Sequence, residues 1–128
     1  MDFLTVVNNI SINESAGIAL YESNGIISNT TISKNTIPIG GYGGDLYIES
    51  GSLEATNLII YGSNHTGSFL PIVNEESDLD VSFSNIYGGW EGEGNIDSNP
   101  LFCDQSSGDF TLAENSPCIG SGENGTDI

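Results

Sequence analysis

Carboxylates are the reactive groups this chain has in quantity. It carries 18 Asp and Glu against a single Lys or Arg, Lys34, and a single His, His65. Glycoside hydrolysis needs two carboxylates at a defined separation, so abundance alone selects no pair and no residue is assigned a catalytic role. Calcium binding is the sharper chemistry, because hard carboxylate and carbonyl oxygens suit that ion. Two groups are candidates: Glu75, Glu76, Asp78 and Asp80 at the start of a predicted strand, and Asp45 with Glu49 beside a Gly-rich turn. Neither follows EF-hand order or the Gly-Gly-x-Gly-x-Asp nonapeptide pattern, and solvated surface acids are the alternative. His65 lies in Gly62-Ser-Asn-His-Thr-Gly, which reads as a surface loop. No nucleophile elbow and no phosphate-binding loop occurs.

Aromatic rings offer a second chemistry, stacking on sugars. Tyr42, Tyr47, Tyr61 and Tyr87 fall near predicted strands, and alternation turns Tyr47 and Tyr61 outward. With Glu49 beside them, Tyr47 and Tyr61 are the candidate carbohydrate-binding residues. The alternative is a ladder of stacked side chains that stabilises a sheet. Trp90, flanked by glycines, is expected to pack under a terminal loop. Cys103 and Cys118, 15 positions apart, do not have zinc spacing, and one His does not complete a four-ligand site. A Cys103–Cys118 disulfide is expected, adding roughly 3 kcal/mol in the chain-entropy model and implying an oxidising compartment. Two buried free thiols are the alternative.

These groups must be positioned by short strands. Ile10 and Ile12, Ile18 and Leu20, Leu46 and Ile48, Leu53 and Ala55, Leu58 and Ile60, and Leu79, Val81 and Phe83 alternate with other residues; Leu70 and Ile72 flank Pro71. Turns are expected at Asn24-Gly25, Gly40-Gly41, Gly43-Gly44, Gly51, Gly62-Ser63-Asn64 and Gly67. Asn8-Asn9-Ile10-Ser11-Ile12-Asn13, Asn29-Thr30-Thr31-Ile32-Ser33-Lys34-Asn35, Asn57-Leu58-Ile59-Ile60-Tyr61-Gly62 and Ser84-Asn85-Ile86-Tyr87-Gly88 read as four copies of one motif. The steps are 22 (Asn13 to Asn35), 28 (Ile32 to Ile60) and 26 (Ile60 to Ile86). A period in the twenties signals a solenoid, in which recurring Asn residues form ladders between stacked coils. The leucine-rich pattern and T-x-T arrays are absent, and a β-sandwich is the competing architecture.

Charge excludes several partners. A formal charge of −17 repels phosphate backbones and anionic membrane surfaces. No apolar run approaches the roughly 18 residues of a membrane span. The opening Met1-Asp-Phe-Leu-Thr-Val-Val lacks the basic and apolar regions of a signal peptide. Five N-x-S/T sequons, at Asn9, Asn13, Asn29, Asn64 and Asn124, are expected by chance in so Asn-rich a chain.

The segments Asn29-Thr-Thr-Ile-Ser-Lys-Asn and Asn57-Leu-Ile-Ile-Tyr-Gly resemble right-handed parallel β-helix repeats of the pectate-lyase-like superfamily. The run from Tyr87-Gly-Gly-Trp-Glu-Gly-Glu-Gly-Asn-Ile-Asp-Ser-Asn-Pro-Leu-Phe to Asn115-Ser-Pro-Cys-Ile-Gly-Ser-Gly is similar to the ending of many secreted bacterial β-helix proteins. The resemblance implies an extracellular or cell-surface location and more coils upstream, making this a C-terminal segment or an unusually short member. It also raises lyase chemistry, which uses an Arg or Lys base and often Ca²⁺. The chain has no Arg, Lys34 reads as a solvated turn cation, and the signatures of the related polygalacturonases are absent.

The expected fold is therefore all-β, a short single-stranded right-handed parallel β-helix of about three to four coils, with coils in residues 1–86 and a turn-rich capping segment in 87–128. The expected function is a non-enzymatic module engaging polysaccharide along one face, with no obligate cofactor and Ca²⁺ as the candidate ion. The alternative is a fragment or relative of a polysaccharide lyase or glycoside hydrolase. Met1 to Val7 offers no evident cap, so end-to-end self-association is expected.

Overall fold

The computed structural model describes residues 3–12, 15–38, 43–65 and 70–128, with His65 described by its backbone. Tyr42, Asn13, the Gly40-Gly41 and Gly67 turns and the His65 side chain lie outside that description. The described chain is mostly β, 47% strand and 5% helix, with parallel sheets and no closed barrel. The strands are β1 (Leu4–Val7), β2 (Ile18–Tyr21), β3 (Asn24–Ser33), β4 (Thr36–Ile37), β5 (Leu46–Glu49), β6 (Ser52–Ile60), β7 (Asn64–His65), β8 (Ile72–Glu75), β9 (Asp78–Ser82), β10 (Asn85–Ile86), β11 (Phe102–Asp104) and β12 (Asp109–Leu112).

Three sheets are parallel throughout: β1-β3-β6-β10 with β9 also on β6, β2-β5-β8, and β4-β7. Each pairing in them joins residues 26 or 28 positions apart, as in Leu4 opposite Thr30 and Asn24 opposite Ser52. The constant offset stacks like on like. Ile32 pairs with Ile60, Leu46 with Ile72, and Ala55 with Val81, and all six side chains are buried in one core. Burying one face of every strand fixes the register, since a slip of one residue would turn the whole inward set to solvent.

The bends between strands recur at the same offset. Single residues with left-handed backbone form three rows: Glu22, Ser50 and Glu76; Asn29, Asn57 and Phe83; Asn8, Lys34, Gly62 and Gly88. One such residue turns the chain sharply without lengthening the connection, and Asn or Gly takes that conformation at least cost. Asn57 Nδ2 donates to Asn29 Oδ1 at 3.1 Å, the expected Asn ladder. A second ladder joins Asn9 to Asn35, whose Oδ1 accepts from Asn9 Nδ2 at 3.1 Å.

Several expectations are corrected here. The first repeat is offset by 26, not 22, because Val6 faces Ile32 and Asn9 meets Asn35. Asn24-Gly25 is strand, not turn; the bend sits at Glu22. Leu4–Val7 is a strand, whereas Ile10 makes only a single bridge and Ile12 is exposed. Phe83 is a bend residue after β9, and Asn85 faces Ile59 instead of Asn57.

Residues 87–128 pack on the parallel sheets in two ways. Residues 93–98 pair onto the last strand, where Phe83 N donates to the Glu93 carbonyl, Ile86 N to the Ile96 carbonyl, and Ile96 N to the Ser84 carbonyl. The antiparallel β11–β12 hairpin and the chain end then cover the outer face of β6, where Ile59, Cys118 and Ile128 form a second small core with Tyr61, Ile96, Phe102 and Leu112.

Candidate functional site

The outer face of β3, β6 and β9 carries three in-register rows of side chains. Period-two alternation turns Leu53, Ala55 and Val81 inward. The intervening residues therefore point out: Asn24, Ser52 and Asp78; Ile26, Glu54 and Asp80; Ser28, Thr56 and Ser82. Ser52 Oγ donates to Asn24 Oδ1 at 2.8 Å, and the Thr56 and Ser82 hydroxyls lie 3.5 Å apart. A shallow groove of about 620 Å³ runs over this face, lined by Asn24, Ile26, Ser52, Glu54, Asp78 and Asp80 with Gly25 and Leu53 as its floor. Glu54 and Asp80 oppose each other directly, a like-charge pairing that destabilises a bare sheet.

The candidate tyrosines divide between two places. Tyr47 stacks on Tyr21 across β2 and β5, with centroids 5.4 Å apart, whereas Tyr61 meets Tyr87 edge-on at 5.5 Å. Tyr47 is 6% exposed and its hydroxyl donates to Glu49 Oε2 at 2.9 Å. Burial, then the hydrogen bond to Glu49 and the charges of Glu49 and Glu75, push the Tyr47 phenol well above its ordinary value. Tyr61 is half-buried in the small core under the C-terminal segment. Tyr47 and Tyr61 thus do not form one exposed row: Tyr47 lies on β5 in the β2-β5-β8 sheet, Tyr61 follows β6 in another sheet, and neither is open. Tyr21 and Tyr87, at 43% and 45% exposure, are the open member of each pair.

No protein-family model, curated protein or solved structure matches the chain.

The remaining candidates are structural in their contacts. Lys34 Nζ donates to the Gln105 carbonyl at 2.8 Å, and Gln105 Nε2 donates to the buried Ser33 hydroxyl at 2.8 Å. The sole Lys therefore ties the C-terminal segment to β3 and is not a free turn cation. Asp45 is fully buried, its Oδ1 accepting from Asn35 Nδ2 at 3.1 Å and from Ser63 Oγ at 2.8 Å. Asp45 and Glu49 consequently serve different environments. Glu75 pairs beside Glu49, Glu76 occupies a bend, and Asp78 and Asp80 face the groove. Among the described residues, no group of three or more His, Cys, Asp or Glu side chains converges as a metal site.

The expected Cys103–Cys118 disulfide is not formed. Cys103 is exposed and Cys118 is buried, each a free thiol. Cys118 Sγ accepts from Asn85 Nδ2 at 3.1 Å within the small core, which turns it inward. Burial pushes its thiol pKa up, opposed in part by Asn85 and Ser116. Trp90, half-buried in the turn-rich segment after β10, packs against the main core. The groove acids Glu54 and Asp80 were not singled out as a pair, since their juxtaposition depends on the offset of 26. Once that offset is known, they are the only two acids in the Ile26 row.

Proposed function

We propose that the chain is a right-handed parallel β-helix of about three to four coils and a non-enzymatic extracellular or cell-surface module that binds a neutral polysaccharide along one face. The constant 26- or 28-residue offset and the repeated bend rows support the coil reading. The observation that carries the ligand reading is the set of three in-register outward rows on β3, β6 and β9. Successive strands lie about 4.8 Å apart, close to the length of one pyranose ring, so each coil meets about one sugar of a chain running along the stack. Carboxylates, an amide and hydroxyls then accept from and donate to sugar hydroxyls, while Ile26 offers an apolar contact. Glu54, Asp78 and Asp80 favour a neutral glycan over a uronate, which would need Ca²⁺ to bridge the charges. No helix of the described chain is long and apolar enough to cross a membrane.

The absence of Arg, and the engagement of Lys34 at Gln105, support binding over lyase chemistry. The directly opposed Glu54 and Asp80 favour the second reading, a glycosidase relative, because paired carboxylates are what that reaction uses. A glycan array run with and without Ca²⁺, followed by calorimetry and a reducing-end assay, separates the two. Binding without new reducing ends is expected, and the E54Q/D80N double variant should bind at least about tenfold more weakly while melting no lower, since it removes a like-charge pair. New reducing ends would replace the module by the enzyme. Unchanged affinity in the double variant would move the site off this face.

A further inference from the structure

The outward row Thr5, Thr31 and Ile59 passes from open to covered across its sheet. Ile59 is buried in the small core under the C-terminal segment, Thr31 is half-buried and Thr5 is exposed. The cover thus stops short of β1, and a cavity of about 740 Å³ lies between β12 and the outer side of β1 and β3. That volume falls in the roughly 300–1,000 Å³ range of small-molecule sites. The cavity shares no residue with the groove over Glu54 and Asp80.

Much of its wall is apolar. Ile59 and Phe110 line it, and Phe102 meets the Phe110 ring edge-on at 5.2 Å. Leu4 and Ile119, two of the large apolar side chains left exposed, also line it, so an occupant with an apolar body gains by covering them. Asp109 and Asp127 are the only charged side chains among the described lining residues. Each is fixed through one oxygen. Asp109 Oδ1 accepts from Thr111 N at 3.0 Å and from the Thr111 hydroxyl at 2.5 Å, and Asp127 Oδ1 accepts from Gly120 N at 2.9 Å. The Thr111 bonds also hold the Asp109 carboxyl below its ordinary value, so it is ionised at neutral pH. No Lys, Arg or His lines the cavity, and the sole Lys donates to the Gln105 carbonyl elsewhere.

We propose that this cavity binds an amphipathic organic cation, with its apolar body against Phe110 and Ile119 and its single ammonium group drawn to Asp109 and Asp127. Charge complementarity selects the occupant. An anion of the same shape, such as a fatty acid, would bring its carboxylate to two others on a chain of charge −17, whereas the same field concentrates cations. A glycan would set hydroxyls against the apolar wall without partners. The proposal does not depend on a glycan occupying the groove on β3, β6 and β9.

Calorimetry of the full chain with 4-phenylbutylamine, 4-phenylbutanol and 4-phenylbutyrate, which share one apolar body, separates charge from burial. The amine should saturate one site with a Kd of about 0.1–1 mM. The alcohol should bind at least about fivefold more weakly and the carboxylate not measurably. Amide shifts on adding the amine should fall on residues 108–112 and 119. Asp127→Asn, whose amide oxygen can keep the Gly120 bond, should weaken the amine at least about tenfold and leave the alcohol unchanged. Ile119→Lys, at an exposed position, sets a fixed ammonium beside the cavity and should reverse the preference, so that the carboxylate binds and the amine does not. The two variants report independently, and a misfolded one, seen in its amide spectrum, leaves the other as the test. No saturable amine binding, an alcohol or carboxylate bound as tightly as the amine, shifts confined to residues outside the cavity, or an amine affinity untouched by D127N would each overturn the proposal.

Discussion

Asn57 holds three parts of the molecule with one side chain. Its backbone is left-handed, its Nδ2 donates to Asn29, and its Oδ1 accepts from Glu123 N at 2.8 Å. A Cβ on the neighbouring Gly122 would sit 2.9 Å from that Oδ1, so the chain end fits against it only as glycine. Asn57→Ala should lose two hydrogen bonds of about 1 kcal/mol each and add about 1 kcal/mol of left-handed strain, about 3 kcal/mol together. Asn57→Gly should recover the strain part and cost about 2 kcal/mol. Urea unfolding of both variants checks this, and equal costs would mean the bend stores no strain. The Asn29–Asn57 ladder was legible because bend and ladder both favour Asn. Its next member was not, since Phe83 takes that bend with its ring against Gly94, where any Cβ would lie 2.4 Å from the ring.

The β11–β12 hairpin is an element set by local carboxylates. Asp104 Oδ1 accepts from the Ser106 hydroxyl at 2.6 Å and from Ser107 N at 3.3 Å, capping the 3₁₀ turn Gln105–Ser107. These bonds hold the Asp104 carboxyl at about 2 against an ordinary 3.8, and the Thr111 hydroxyl and amide lower Asp109 likewise. A depressed carboxyl stabilises the fold above its unfolded value and loses that stabilisation as pH falls through the folded one. The hairpin amides should therefore gain hydrogen exchange between pH 3.8 and about 2, ahead of the β6 amides, and D104N should exchange faster already at neutral pH with a flatter acid response. Simultaneous loosening of β6 and hairpin would show that Asp104 is not a local clamp. Strands were legible wherever inward residues alternate, as in β5 and β6. The first half of β3 was not, because Asn24-Gly25 signals a turn whereas the bend sits at Glu22, a residue type that signals no left-handed backbone. The sequence period places Tyr47 and Tyr61 outward, yet neither is open: Tyr47 is buried within its own sheet and Tyr61 packs under residues 87–128.

At the scale of the whole molecule, charge works against the fold. Eighteen carboxylates share the chain with one Lys, and that Lys is committed to the Gln105 carbonyl instead of to an acid. Register places Glu49 beside Glu75 and Glu54 beside Asp80, so repulsion is built into the sheets as well as spread over the surface. Screening should relieve both, since the Debye length shrinks from about 30 Å at 0.01 M salt to about 3 Å at 1 M. A relief of about 1–2 kcal/mol would raise Tm by about 4–8 °C for a domain of this size. Thermal melts in NaCl across that range check the sign, and Tm falling or staying flat would mean that the paired acids already have partners in solution. Calcium separates general screening from a site. Equal shifts by Ca²⁺ and Mg²⁺ at matched ionic strength would be screening alone, whereas an excess shift by Ca²⁺, lost in E54Q/D80N, would mean that the opposed groove acids hold the ion and that the face can bridge to an acidic glycan.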